Sequence, residues 1–202
     1  MLKPLYLASQ SPRRQELLRQ IGLAPIVLLL RNELGRMDID ETPLPGETTL
    51  EYVLRLARLK ASVAVAAQTG RRLPNWPIVA ADTTVTLDGQ ILGKPADAEQ
   101  AAAMLRRYSG RAHSVLTAVA VAYQGRMELA LSESVVQFKV LAEAEIAAYV
   151  ASGEPFDKAG GYGIQGRAAM FIEQLAGSYS GVMGLPLFET AELLREIGYP
   201  VL

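Results

Sequence analysis

Two adjacent arginines stand where electrostatics discourages them. The stretch LYLASQSPRR, residues 5–14, runs from apolar residues into Ser9, Ser11, Pro12 and the pair Arg13 and Arg14. Serine is a favoured N-cap and proline suits the first helical position, so a helix is expected to begin at Ser11 and Pro12. Arg13 and Arg14 then fall in its first turn, where each exposed cation opposes the helix dipole by ~0.3–1 kcal/mol. The free backbone N–H groups of such a turn form an anion site. Two guanidiniums, with forked donors suited to phosphate oxygens, strengthen it, and Ser9 and Ser11 add hydroxyls. The plain alternative is that both arginines face water, or pair with Glu16 or a distant carboxylate.

Other residues carry chemistry less openly. Asp82 lies in VAADTTV, an apolar strand-like run in which a carboxylate is costly unless paired, metal-bound or functional. It can act as a general base toward water, or hold a metal that activates water. It can equally be satisfied by neighbouring backbone N–H groups. Lys60 interrupts the apolar face of a helix, where lysines usually snorkel. Lys94 follows Gly93 in ILGKP. This is not a P-loop, because Gly89 and Gly93 are one residue too close and Pro95 replaces the Ser/Thr. Glu41 and Glu47 sit in an acidic loop, where solvation is the default.

The segment GGYGIQG contains G-x-G-x-x-G at Gly161, Gly163 and Gly166. No strand precedes it, as a dinucleotide fingerprint requires. Its glycines suit tight turns near a ligand. Gln165 within it can read a base edge or simply face solvent. Tyr149, Phe156, Tyr162 and Tyr179 can stack on a base or fill the core. His113 is the only histidine, and its context GRAHSVLT shows no nucleophile signature, so it reads as structural. There are no cysteines, which excludes disulfides, thiolate metal sites and cysteine nucleophiles. A hard cation held by carboxylates and phosphates suits this composition better than zinc.

These residues need elements to hold them. The chain has 202 residues, half of them hydrophobic and 20% charged, with a net charge of -1. That is a soluble globular profile with enough chain for one large domain or two small lobes around a cleft. The near-neutral charge speaks against nucleic-acid or membrane-surface binding. The apolar APIVLLL is far too short to span a bilayer, and MLKPLYLASQ does not read as a signal peptide, so a cytoplasmic protein is expected.

A strand is expected over residues 4–9 and a helix from Pro12 to a stop at Gly22. The acidic segment 38–49, DIDETPLPGETT, reads as a loop. A second helix over about 49–68 carries Val53, Ala57, Lys60 and Ala64 along one face. Strands flank Asp88-Gly89, a strong hairpin signal. Asp97 can cap the helix AEQAAAMLRRY. Two strands, SVLTAVAVAY and MELALSESVVQFKV, meet at Gln124-Gly125. A short helix AEAEIAAYVAS, the glycine-rich loop and a final helix LPLFETAELLREIG complete the pattern. Mixed helices and hairpins point to an α/β fold with a mixed sheet.

The sequence resembles the Maf family of nucleotide pyrophosphatases. LASQSPRRQELL looks like the family's N-terminal signature. DETPLPGE, RLARLKA, AADTTVTLDGQILGKP, YSGRAHSVLTAVAV, YVASGEPFDKAGGYGIQG and GSYSGVMGLPL match in order over nearly the whole chain. The resemblance implies a single Maf-like domain over residues 1–202. Its fold would be a two-lobed mixed sheet with flanking helices, ITPase-like, with the active site between the lobes. It implies hydrolysis of a nucleoside triphosphate to the monophosphate and pyrophosphate, with a divalent cation (Mg, Mn or Co), and a possible homodimer.

By the same resemblance, Asp82 is the proton acceptor. Arg14, Lys60 and Lys94 face the triphosphate, with Ser9 beside them. Glu41 of DETP is a metal ligand together with Asp82. Arg13, Thr83 and Gln165 correspond to the group acting on dTTP and UTP. A group acting on 7-methyl-GTP carries an aromatic residue, commonly glutamine, and glutamate in those places. The chemistry agrees, since a neutral amide pairs with a uracil or thymine edge and a carboxylate suits a cationic methylated purine. Two rival readings remain: a nucleotide-sensing regulator of septum formation and division acting through protein contacts, and a pyrophosphatase for modified pyrimidine nucleotides or 7-methyl-GTP.

Overall fold

A computed structural model describes residues 3–30 and 39–201. The chain opens with β1 (Lys3–Leu7), α1 (Pro12–Gln20) and β2 (Leu23–Val27), followed by the long α2 (Thr49–Gly70). Next come β3 (Ile78–Leu87), β4 (Gln90–Leu92), α3 (Ala98–Tyr108), β5 (Ala112–Tyr123), β6 (Arg126–Phe138) and α4 (Glu143–Ala151). The C-terminal part holds β7 (Ile172–Ala176), α5 (Tyr179–Met183) and α6 (Leu187–Glu196). One sheet runs in the order β2-β1-β3-β5-β6-β7, with β4 paired to β3. β1 is parallel to β2 and β3, and the remaining pairs are antiparallel. The fold is therefore a mixed-sheet α/β structure with flanking helices, as expected.

Local chemistry explains these elements. α2 begins with a reciprocal capping box. Glu51 N donates to Thr48 Oγ1 at 3.3 Å, and Thr48 N donates to Glu51 Oε2 at 2.9 Å. Asp97 caps α3 through Gln100 N at 2.8 Å. The β3–β4 hairpin turns at Asp88 and Gly89, whose φ values of +55° and +73° are those of a type I′ turn.

Alternation along β3 sends side chains to two faces. Ile78 and Ala80, with Ala118 and Ala120 of β5, pack under Val53, Leu56, Ala57, Ala61 and Ala64 of α2. Val79 and Ala81, with Val119 and Val121, pack against α1 and α6 through Leu17, Leu18, Leu193 and Leu194. A third cluster under α3 and α4 gathers Tyr108, Phe138, Tyr149, Tyr162 and Phe171. Asp82 and Thr83 follow Ala81 directly, so these two neighbours emerge on opposite faces of one strand.

Several expectations need correction. The first strand ends at Leu7, so Ser9 lies in the loop before α1. Ser11 is the N-cap residue of α1 by position but makes no side-chain cap bond; its own N–H donates to Ser9 Oγ at 3.1 Å. Asp38, the first residue of the acidic loop, lies outside the described residues. β2, β7 and α5 were not expected. β7 pairs with β6 from Val135↔Ala176 to Phe138↔Ile172, with a register shift at Gln137/Phe138. The glycine-rich segment is not featureless either, containing 3-10 turns at Glu154–Asp157 and Ala159–Gly161.

Candidate active site

A cavity of about 830 Å³ opens where β3 meets the surrounding loops. The loop before α1 and its first turn supply Ser9, Arg13 and Arg14. The acidic loop and α2 supply Glu41 and Lys60, and β3 supplies Asp82 and Thr83. Lys94 enters from the segment after β4, and Gln165 from the glycine-rich loop. Ser9, Arg13, Arg14, Glu41, Lys60, Asp82, Thr83, Lys94 and Gln165 thus all line this one cavity, although they are drawn from six separate stretches of chain; Glu47, Tyr149, Phe156 and Tyr179 do not line it.

On the α2 side of β3, charges are paired. Asp82 is 8% exposed. Its Oδ1 accepts from Lys60 Nζ at 2.6 Å, and its Oδ2 from Thr84 Oγ1 at 3.4 Å. Lys60 Nζ also meets Glu41 Oε1 at 2.8 Å. Lys60 therefore does not snorkel to water but bridges two carboxylates. Glu41 is brought there by a braced loop. Tyr52 Oη donates to Glu41 O at 3.0 Å, and Arg55 Nη2 donates to Thr42 O at 3.1 Å while its fork grips Glu47. Those Arg55 bonds hold the Glu47 carboxyl down at about 2.

On the opposite side, a cation sits among neutral acceptors. Arg14 Nε donates to Gly184 O at 2.7 Å, Nη1 to Ser9 Oγ at 3.3 Å and Nη2 to Thr83 Oγ1 at 3.2 Å. Among the described residues no carboxylate comes within ion-pair distance of it. One N–H on each terminal nitrogen stays uncommitted among those residues, which is the fork geometry that suits two oxygens of one anion. Burial lowers the Arg14 pKa, opposed by the nearby Asp82 charge and reinforced by Arg13; the group remains a cation, since its ordinary value lies so high. Arg13 lies 3.8 Å from Asp157 across the cavity mouth.

Gln165 is positioned by the loop around it. Gly166, its neighbour, packs so tightly on Glu154 that a Cβ there would stand 2.0 Å from Glu154 Oε1. Glu154 also accepts from Tyr149 Oη at 3.0 Å and from Arg167 N at 3.0 Å. Tyr149 and Tyr162 are core residues, as their aromatic setting allowed, and Tyr162 forms part of the cavity wall. His113 is buried beneath the cavity, 2.7 Å from Tyr162 Oη, in the structural place expected of it. Sequence reading passed over the cavity-lining Tyr52, Asp157 and Lys158. The only signal for the last two was a charged pair inside a glycine-rich segment.

A divalent cation would find limited protein support. Among the described residues no group of three or more His, Cys, Asp or Glu side chains gathers. Asp82 and Glu41 nevertheless converge on one point, the Lys60 ammonium, with hard oxygen donors. That donor set fits a magnesium-type ion that completes its shell with phosphate oxygens and water.

This sheet, with its cavity of cations facing an acid, has relatives. The sequence pattern of the family described as Maf-like protein matches residues 4–197, and the chain belongs to that family. A dTTP/UTP pyrophosphatase of Ralstonia nicotianae is 58% identical over 95% of this chain and 93% of its own length. One from Aromatoleum aromaticum is 56% identical over 98% of this chain and 97% of its own. One from Nitrosomonas europaea is 52% identical over 98% and 96%. A solved structure of the Staphylococcus aureus Ham1 protein superposes with a TM-score of 0.45 at 17% identity, covering 67% of this chain and 72% of that one. No described helix is long and apolar enough to cross a membrane.

Proposed function

We propose that the chain is a nucleoside triphosphate pyrophosphatase acting on dTTP and UTP, a single domain whose two lobes share this cavity as their active site. The observation that carries the reading is the gathering of Arg14, Lys60 and Lys94 around Asp82 in one cavity. The names borne by relatives more than half identical along nearly the whole chain support the substrate class.

In this reading Arg14, Lys60, Lys94 and the N-terminus of α1 hold the triphosphate, with Ser9 at its edge. Asp82 takes a proton from a water that attacks the α-phosphorus. A new P–O bond forms, the bond from the α-phosphorus to the bridging oxygen breaks, and pyrophosphate leaves with the electron pair. Cations at the β- and γ-phosphates stabilise that leaving charge. Asp82 and Glu41 are the residues that would hold a divalent cation, which supplies charge neutralisation at the phosphates and lowers the pKa of bound water. As the triphosphate arrives, Lys60 can pass from the carboxylates to phosphate oxygens, freeing both acids. Arg13, Thr83 and Gln165 select the base, the Gln165 amide offering a donor and an acceptor to a uracil or thymine edge.

The test is pyrophosphate release from a nucleotide panel at equal concentrations, with magnesium or manganese and again in EDTA. Metal-dependent release from dTTP and UTP, well above the other nucleotides, is expected. No release from either would remove the reading. Gln165→Glu should cut kcat/KM for both pyrimidines by about tenfold, because a carboxylate replaces the amide's donor and faces carbonyl oxygens of the base; unchanged selectivity would remove Gln165 from base recognition.

A further inference from the structure

Thr117 does not line the cavity, yet it bonds one of the three groups that orient Arg14 and the short helix whose C-cap carries another. It sits mid-strand in β5, completely buried, with Val115 and Val119 on either side along its face. A threonine is a good strand former, so its presence alone means little. Its contacts mean more. Thr117 stands directly opposite Thr83 in the β3–β5 register, and the two Oγ1 atoms are 3.0 Å apart. The same Oγ1 lies 2.8 Å from Gly181 O. Thr83 Oγ1 accepts from Arg14 Nη2, and Gly184, the C-cap of the short helix that contains Gly181, accepts from Arg14 Nε. One buried hydroxyl therefore ties the strand-borne acceptor to the helix that carries the backbone acceptor.

We propose that Thr117 is a positioning residue for Arg14: through Thr83 on one side and α5 on the other, it fixes the guanidinium fork in the orientation that receives a polyphosphate. The inference rests on the reading of Arg14 as a phosphate ligand. A guanidinium held only by neutral acceptors is aimed by geometry alone, and a side chain with so many rotatable bonds loses affinity when its supports loosen. Thr117 adds no charge and touches no ligand. Its contribution appears in binding and leaves the proton transfer at Asp82 intact.

Calorimetric titration of inorganic tripolyphosphate separates the two readings without relying on turnover. Thr117→Val keeps the side chain's shape and loses the hydroxyl, whereas Thr117→Ser keeps the hydroxyl. Thr117→Val should bind tripolyphosphate about fivefold more weakly than wild type, the worth of one net hydrogen bond, and Thr117→Ser within about twofold of wild type. In turnover, KM for dTTP and UTP should rise by the same factor while kcat holds. Thr117→Val that binds as tightly as wild type, even with lower thermal stability, would make the residue merely structural and overturn the inference. Arg14→Ala binding as tightly as wild type would overturn the phosphate-ligand reading, and the inference with it. Should Thr117→Val not fold, Thr117→Cys, whose thiol is a weak hydrogen-bond partner, takes its place with the same expected loss.

Discussion

Asp82 and Thr83 are consecutive, yet they look into two different electrostatic worlds. On the α2 face, Asp82 and Glu41 share the Lys60 ammonium, so charge is paired with charge. On the other face, Arg14 rests on a carbonyl and two hydroxyls, and among the described residues no carboxylate lies within ion-pair distance of it, although Asp82 and Glu41 stabilise its charge through space. Further along that same face His113 lies in an aromatic cage of Tyr108, Phe138 and Tyr162, where burial discharges it. One face trades partners; the other holds geometry. A paired acid can be released when a stronger anion draws its lysine away. A cation in a neutral cradle keeps much of its attraction for an incoming anion, because among the described residues no carboxylate is paired with it.

The comparison breaks most visibly at Asp82. Asp82→Asn keeps the shape and a partner for Thr84 but removes the proton acceptor. The expected fall in kcat is about 10³-fold, within the range of general-base contributions, with KM for dTTP little changed. It also leaves Lys60 less neutralised, so tripolyphosphate should bind at least as tightly as to wild type. Near-normal turnover in the purified variant would end the general-base assignment.

The neutral face has its own pH signature. His113 is held at about 4 by burial, against an ordinary value of 6.5. In the unfolded chain it takes up a proton below ~6.5, while the folded protein refuses one until about 4. Its contribution is therefore fully present above ~6.5 and is lost as pH falls toward 4, by up to about 3 kcal/mol. Glu47 titrates in another window, because its depressed folded value protects stability above ~4.5 and gives it up only as pH drops toward 2. Urea midpoints of wild type and His113→Gln between pH 7.5 and 4.5 check this. Gln can still reach Tyr162 but takes no proton, so its curve should be nearly flat. Parallel curves would show that His113 accepts charge in place.

Much of this contrast was legible beforehand and some was not. The apolar run around Asp82 already marks a strand in which a carboxylate is costly, and the alternation of β3 then sets Asp82 and Thr83 on opposite faces. The first-turn arginines, against the dipole, already point to an anion. Lys60 could not be told from a snorkelling lysine, because its role comes from α2 lying flat on a surface of alanines that lets Nζ reach Asp82. β7 and α5 were invisible for a related reason. FIEQLAGSYSGVM has neither clean alternation nor a long amphipathic stripe, and β7 exists through its pairing with β6. α5 is five residues long and is capped by Ser178, whose own N–H donates to Ser134 Oγ at 2.9 Å. The brace on Arg14 comes from just this part of the chain, so the orientation of the arginine was hidden where its presence was plain.

Arg14→Lys is the finest probe of the neutral cradle, because it keeps the charge and removes the fork. If the cradle only supplied a positive field, lysine would serve nearly as well, and KM for dTTP would move by less than about twofold. The structure gives a different expectation. A lysine has no Nε to meet Gly184 O, and one ammonium cannot satisfy Gly184 O, Ser9 and Thr83 while also offering a paired donor set to phosphate. The expected outcome is a rise in KM of about tenfold, roughly the difference between a bidentate and a single charge-assisted contact, with a smaller fall in kcat. Raising salt should then weaken wild type and variant in parallel, since both carry one positive charge at the same place. A KM rise that vanished at high salt would return the effect to simple electrostatics, and the two faces of β3 would no longer differ in kind.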